Sequence, residues 1–206
     1  MSTFKTTTAK TNTFNPNPPE STPIDTKVMS ASFLKALTFA AEKHRNQRRK
    51  DTSQTPYINH PIQVANILLN EAQVTDEVVL MAALLHDTVE DTDTTFDELE
   101  QHFGKTVRDI VAEVTDDKSL PKAVRKQYQI DHAPHLSDRA KLVKLADKIS
   151  NVRDTATSPP AGWPQTRIDE YLEWGKAVIA PMRGTHTQLE ALFDQAYRAG
   201  KAAVVS

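Results

Sequence analysis

Thr75-Asp76-Glu77-Val78-Val79-Leu80-Met81-Ala82-Ala83-Leu84-Leu85-His86-Asp87-Thr88-Val89-Glu90-Asp91 is the most informative run in the chain. Thr75 is placed to cap a helix through Val78, Val79, Leu80, Ala82, Ala83, Leu84 and Leu85. That apolar helix then runs straight into four ionisable groups. If it continues at ~100° per residue, His86, Asp87, Glu90 and Asp91 share one sector about 140° wide. Three carboxylates beside a helix C-terminus repel one another, and the dipole there disfavours anions. A bound divalent cation would reverse that sign. A helix end fraying into the acidic loop Asp91-Thr92-Asp93 is the other local explanation.

The same periodicity extends outward on both sides. Phe33, Leu34, Leu37, Ala40 and Ala41 recur at helical spacing, and Pro61 sits in the first turn of a helix carrying Ile62, Val64, Ala65, Ile67, Leu68 and Leu69. Thr95 with Glu98 fits a capping box, and Gly104 suits the stop of that short helix. Val107, Ile110, Val111 and Val114 form a further stripe. Pro121 opens a helix through about Ala133, and Ser137 caps one bearing Leu142, Val143, Leu145, Ala146, Ile149 and Val152. Pro164 starts one ending near Gly184, and a last one runs from about Thr187 to Ala199. No stretch alternates with period two, and glycine is scarce, with five residues. The expectation is a single all-α domain of about eight or nine helices over residues 31–200.

Composition narrows the chemistry. The 206 residues fit one domain plus a tail. Residues 1–30 hold eight Thr and the run Asn15-Pro16-Asn17-Pro18-Pro19, which reads as a disordered tail. That segment has no continuous apolar core, so no secretory signal is expected and the chain reads as cytoplasmic. Lys+Arg is 25 against Asp+Glu 27, a formal charge of -2, which argues against a nucleic-acid partner. No apolar run reaches the ~18 residues of a membrane span. Cysteine is absent, which excludes disulfides, thiolate metal sites and cysteine nucleophiles. Any metal must be held by His, Asp, Glu or water.

Two further residues bear on that point. His60 lies at the expected helix start, beside Asn59 and Pro61. Asp147 interrupts the apolar pattern directly after Leu145-Ala146, where a carboxylate needs a partner. Lys144 or Lys148 could be that partner. Two imidazoles and two carboxylates would also suit a first-row divalent ion. The basic run Arg45, Arg48, Arg49 and Lys50 is either a solvated helix end or a source of cations for an anionic ligand.

A His, then a His-Asp pair, then a distant Asp resembles the signature of the HD superfamily of metal phosphohydrolases. Longer strings sharpen the likeness: Thr55-Pro56-Tyr57-Ile58-Asn59-His60-Pro61, Ala82 through Thr92, Val114-Thr115-Asp116-Asp117-Lys118, and Ala140 through Lys148. Over about residues 31–199 the chain resembles the hydrolase domain of the Rel/Spo family, most of all its stand-alone small alarmone hydrolases.

That resemblance implies an enzyme that removes pyrophosphate from the ribose 3′ position of guanosine tetra- or pentaphosphate, with Mn²⁺ as cofactor. It implies His60, His86, Asp87 and Asp147 as metal ligands and Glu90 and Asp91 as catalytic carboxylates. It places Arg49 and Lys50 in the nucleotide pocket and Asn151 on the purine. Lys144 could reach a phosphate or simply pair with Asp147. Another phosphorylated nucleotide, such as NADPH through its 2′-phosphate, would serve the same residues. Trp163, Tyr171 and Trp174 resemble a base-stacking set, although the spacing of Tyr171 and Trp174 also suits packing of a helix on the core. The resemblance assigns no chemical step to Thr115-Asp116-Asp117-Lys118. Synthesis of the alarmone is not expected, because the chain stops about where the hydrolase domain of the family ends.

Overall fold

The computed structural model describes residues 30–205. The expected tail at residues 1–30 lies outside them but for Ser30. Ser30 caps α1 (Ala31–Lys43) by accepting the Phe33 N–H. The chain then folds into α2 (Asn59–Asn66), which runs into a π-helical turn (Ile67–Glu71), α3 (Glu77–Leu85), the single turn α4 (Thr88–Asp91), α5 (Phe96–Phe103) and α6 (Lys105–Val114). It continues with α7 (Lys122–His132), α8 (Asp138–Thr157), α9 (Gln165–Ile179) and α10 (Thr187–Val205). The described residues thus hold nine helices of eight residues or more plus the one-turn α4, and no β-strand. An isolated bridge between Arg48 and Pro56 closes the loop between α1 and α2.

The expected caps form at Thr95, which accepts the Glu98 N–H, and at Ser137, which accepts that of Ala140. Three local expectations need correction. Asp76, not Thr75, caps α3, because its carboxylate accepts the Val78 N–H. The helix does not run on through Asp91 either. It ends at Leu85, and His86 and Asp87 form a turn with Asp87 at φ -99° and ψ -3° before α4 begins. The last helix also continues past Ala199, to Val205.

Hydrophobic burial assembles these helices. Val79 through Leu85 of α3 are all buried, as expected of a helix apolar on every side. α8 is the central rod, packed against α2, α3, α6, α9 and α10. Its Ala140, Val143, Leu145, Ala146, Ile149 and Val152 are buried, and so are Lys144, Asp147 and Lys148. Three charged side chains inside a core helix must each have a partner. Those partners define the site below.

Gly104 joins α5 to α6 with φ 85° and ψ 163°, a conformation open essentially to glycine alone. A Cβ there would meet nothing within 4 Å, so the constraint is in the backbone and not in packing. Gly104→Ala is expected to cost about 1–3 kcal/mol. Urea unfolding checks this, and an unchanged midpoint would contradict it.

Candidate active site

Three elements deliver the HD side chains to one point. His60 comes from the first turn of α2, His86 and Asp87 from the turn after α3, and Asp147 from the middle of α8. One donor atom each from His60, His86 and Asp147 lies within 4.8 Å of the others, and all three residues are buried. Asp147 Oδ1 is 3.2 Å from His60 Nε2 and 3.7 Å from His86 Nε2. Asp87 Oδ2 is 3.1 Å from His86 Nε2 and 3.7 Å from His60 Nε2.

Outer contacts aim these atoms inward. His86 Nδ1 donates to the Ala83 carbonyl at 2.8 Å, which turns Nε2 toward the cluster. His60 Nδ1 pairs with Ser150 Oγ at 3.1 Å. Tyr57 donates its hydroxyl to Asp87 Oδ2 at 2.6 Å. Asn151 Nδ2 donates to Asp147 Oδ1 at 2.5 Å, and Lys148 Nζ donates to Asp147 Oδ2 at 3.1 Å.

The electrostatics are those of a cation site. Burial opposes every charge here, yet Asp87 and Asp147 hold the His86 pKa well above its ordinary value. Against the same burial, His86 holds the Asp87 carboxyl well below the usual range, and Lys148 together with the two imidazoles does so for Asp147. His86 Nε2 is buried and makes no hydrogen bond. A buried ring nitrogen without a hydrogen bond, facing carboxylate oxygens, fits a divalent cation held by nitrogen and oxygen donors.

Glu90 and Asp91 stand at the mouth of this cluster on α4. Glu90 Oε2 accepts the Asp116 N–H at 3.0 Å. Asp91 accepts from Gln47 Nε2 at 3.0 Å on Oδ2 and pairs with Lys118 through Oδ1. Thr115-Asp116-Asp117-Lys118 therefore has a role: it anchors both carboxylates. Burial raises the Glu90 pKa, with Asp87 adding repulsion and the Asp116 bond opposing.

His60, Glu90 and Asp91 open onto a cleft of about 920 Å³. Arg49 and Lys50 line it, as do Asn151, Trp163, Tyr171 and Trp174. Arg49 Nη2 donates to Asn151 Oδ1 at 3.2 Å and pairs with Asp154 at 2.6 Å. The aromatic trio packs as its spacing suggested and also lines the cleft. Trp163 and Trp174 pack partly on the core, while the rings of 163, 171 and 174 contact one another along the cleft wall at 5.4–5.6 Å. Lys122, Arg125, Lys126 and Arg167 add cations on the α7–α9 side, which sequence reasoning passed over.

Lys144 is a correction. Its Nζ donates to the Val114 carbonyl at 3.0 Å, and it is buried and absent from the cleft lining. Burial and neighbouring Lys148 push its pKa down. Arg153 forms a two-pronged ion pair with Glu71, both contacts at 2.8 Å, which ties α8 to the π-helical turn.

Residues 36–173 match the family model described as HD domain. The chain belongs to the HD-domain family. It is 57% identical over 168 residues to a guanosine-3′,5′-bis(diphosphate) 3′-pyrophosphohydrolase of Xenopus tropicalis, a match covering 82% of this chain and 94% of that one. The Homo sapiens protein of the same name is 58% identical over 169 residues, covering 82% and 94%. A solved structure of a metazoan orthologue of SpoT, described as hydrolysing ppGpp with a role in starvation responses, superposes with a TM-score of 0.81 at 54% identity, covering 83% of this chain and 96% of that one. This HD domain has no helix, among the described residues, long and apolar enough to cross a membrane.

Two outcomes are expected of the metal-free protein. A divalent cation should stabilise it by about 2.7 kcal/mol at a hundredfold excess over Kd. Thermal melts should show this for wild type and not for Asp147→Ala; equal shifts in both would contradict the site. Glu90→Gln should raise the melting temperature at pH 7. The sign follows from linkage: a carboxyl whose folded pKa is raised destabilises the fold as pH climbs from the ordinary ~4.3 through the raised value. The gain should vanish near pH 4, and a gain equal at both pH values would contradict the burial argument.

Proposed function

We propose that the chain is a divalent-metal-dependent guanosine-3′,5′-bis(diphosphate) 3′-pyrophosphohydrolase, with Mn²⁺ as its cation. The observation that carries this reading is the His60, His86, Asp87 and Asp147 cluster, flanked by the anchored Glu90/Asp91 pair, in a chain 57–59% identical to vertebrate enzymes of that name. On this reading those four residues hold the ion. Bound there, a divalent cation supplies Lewis acidity toward water and phosphoryl oxygen.

The chain's own residues do the rest. Water adds to the phosphorus attached to the ribose O3′, the P–O3′ bond breaks, O3′ takes a proton, and pyrophosphate leaves with GDP as the other product. Glu90 accepts the proton of the attacking water; its raised pKa makes it a better base than an exposed carboxylate. Asp91 orients that water. Arg49 and Lys50 bind phosphate, the role for which a planar guanidinium and a primary ammonium are suited. Asn151, already bonded to Asp147 and Arg49, presents its amide toward the base.

Incubation of the purified protein with guanosine tetraphosphate and Mn²⁺ tests the reading, with NADPH and GTP alongside. GDP plus intact pyrophosphate is expected, and both should disappear in Asp87→Ala. Phosphate release from NADPH without turnover of the tetraphosphate would overturn the substrate assignment. Glu90→Gln should keep the metal and slow turnover by 10²-fold or more, in the range of general-base removal. Arg49→Ala should chiefly raise KM; an unchanged KM would remove Arg49 from the binding role.

A further inference from the structure

His44 is a buried imidazole that the proposed chemistry does not touch. It closes α1 as its C-cap residue and is 1% exposed. Its Nδ1 lies 2.6 Å from Gln47 Oε1, and the other end of that amide, Nε2, donates to Asp91 Oδ2 at 3.0 Å. Charge decides which way the amide is turned. Reversed, Gln47 would set a carbonyl oxygen against the Asp91 carboxylate. With Oε1 on the histidine side, His44 Nδ1 must carry the proton. This agrees with the buried His44 Nε2, which has no hydrogen-bond partner to donate to.

The relay is braced along its length. The Gln47 N–H donates to the His44 carbonyl at 2.9 Å, and the Gln47 carbonyl accepts the Tyr57 N–H at 3.1 Å. The His44 ring packs against Tyr57 with centroids 4.9 Å apart, and Tyr57 in turn donates to Asp87. Gln47 is therefore fixed by backbone and side chain before any substrate arrives. Lys118 takes the other oxygen of Asp91 from a long side chain that is 48% exposed, a looser restraint.

We infer that Gln47, held in one orientation by His44, is a positioning residue that aims the Asp91 carboxylate for hydrolysis. The inference rests on the reading of Asp91 as a catalytic carboxylate. The expected effect lies in kcat and not in KM, since preorganised orientation is what the relay supplies.

Steady-state kinetics with guanosine tetraphosphate at saturating Mn²⁺ test it, with thermal melts and Mn²⁺ affinity as checks on folding and on the cation site. Gln47→Leu should lower kcat at least tenfold with KM within twofold. His44→Leu should match it, and His44→Asn, whose amide N–H replaces Nδ1–H, should recover most of the loss. In an Asp91→Asn background, Gln47→Leu should add no further loss, which a merely structural role would not produce. Gln47→Glu keeps the acceptor for His44 but loses the donor to Asp91, and carries the test should the leucine variant fail to fold. Wild-type kcat in Gln47→Leu or Gln47→Glu, with Asp91→Asn inactive, would overturn the relay alone. Losses that add in the Asp91→Asn background would also overturn it. Wild-type activity in Asp91→Asn would instead overturn the catalytic reading beneath it.

Discussion

Two carboxylates, the part-buried Asp87 and the buried Asp147, crowd the same pair of imidazoles at 3.1–3.7 Å. In a low-dielectric interior such crowding is unfavourable without positive charge. The same carboxylates raise the pKa values of His86 and the buried Lys148 against the pull of burial. That arrangement leaves His86 Nε2 without a hydrogen bond. A divalent ion held there would answer both, supplying positive charge and giving the ring nitrogen a partner.

The fold follows from the need to bring those groups together. α3 is apolar on every side so that it can end inside the molecule, and it releases His86 and Asp87 there. α8 is the longest helix and the most surrounded, so Asp147 at its middle is held rigidly. Lys148 makes a double contact, to Asp147 at 3.1 Å and over the Trp174 ring at 4.7 Å, and so joins the cluster to the aromatic wall of the cleft. Glu90 and Asp91, which line the cleft, sit on α4, a single turn, and gain their order from Gln47, Asp116 and Lys118 instead of from helix packing.

Helix content was legible because apolar spacing reports it directly, and Thr95, Gly104 and Ser137 mark their boundaries through local hydrogen bonds or backbone conformation. The break at His86-Asp87 was not legible, because nothing in Leu85 through Glu90 forbids helix; tertiary contacts of the two side chains decide it. Asp147 stood out as a carboxylate interrupting an apolar helix, and His86 and Asp87 as ionisable groups at the end of another, while His60 joined them through the family resemblance. Their supporting partners did not. Tyr57 reaches across thirty positions to Asp87, Gln47 across forty-four to Asp91, and Ser150 across ninety to His60, and no periodic pattern encodes such pairs. Lys144 misled for the converse reason. Its sequence distance from Asp147 suits a shared face, but its ammonium goes to the Val114 carbonyl at the end of α6.

One divalent cation is expected among His60, His86, Asp87 and Asp147. Anomalous diffraction at the manganese edge, from crystals of the protein equilibrated with Mn²⁺, tests it most directly. A single strong peak is expected within coordination distance of His60 Nε2, His86 Nε2 and a carboxylate oxygen of each aspartate. A peak elsewhere in the cleft, or none in crystals whose dissolved protein turns over guanosine tetraphosphate without added metal, would contradict it.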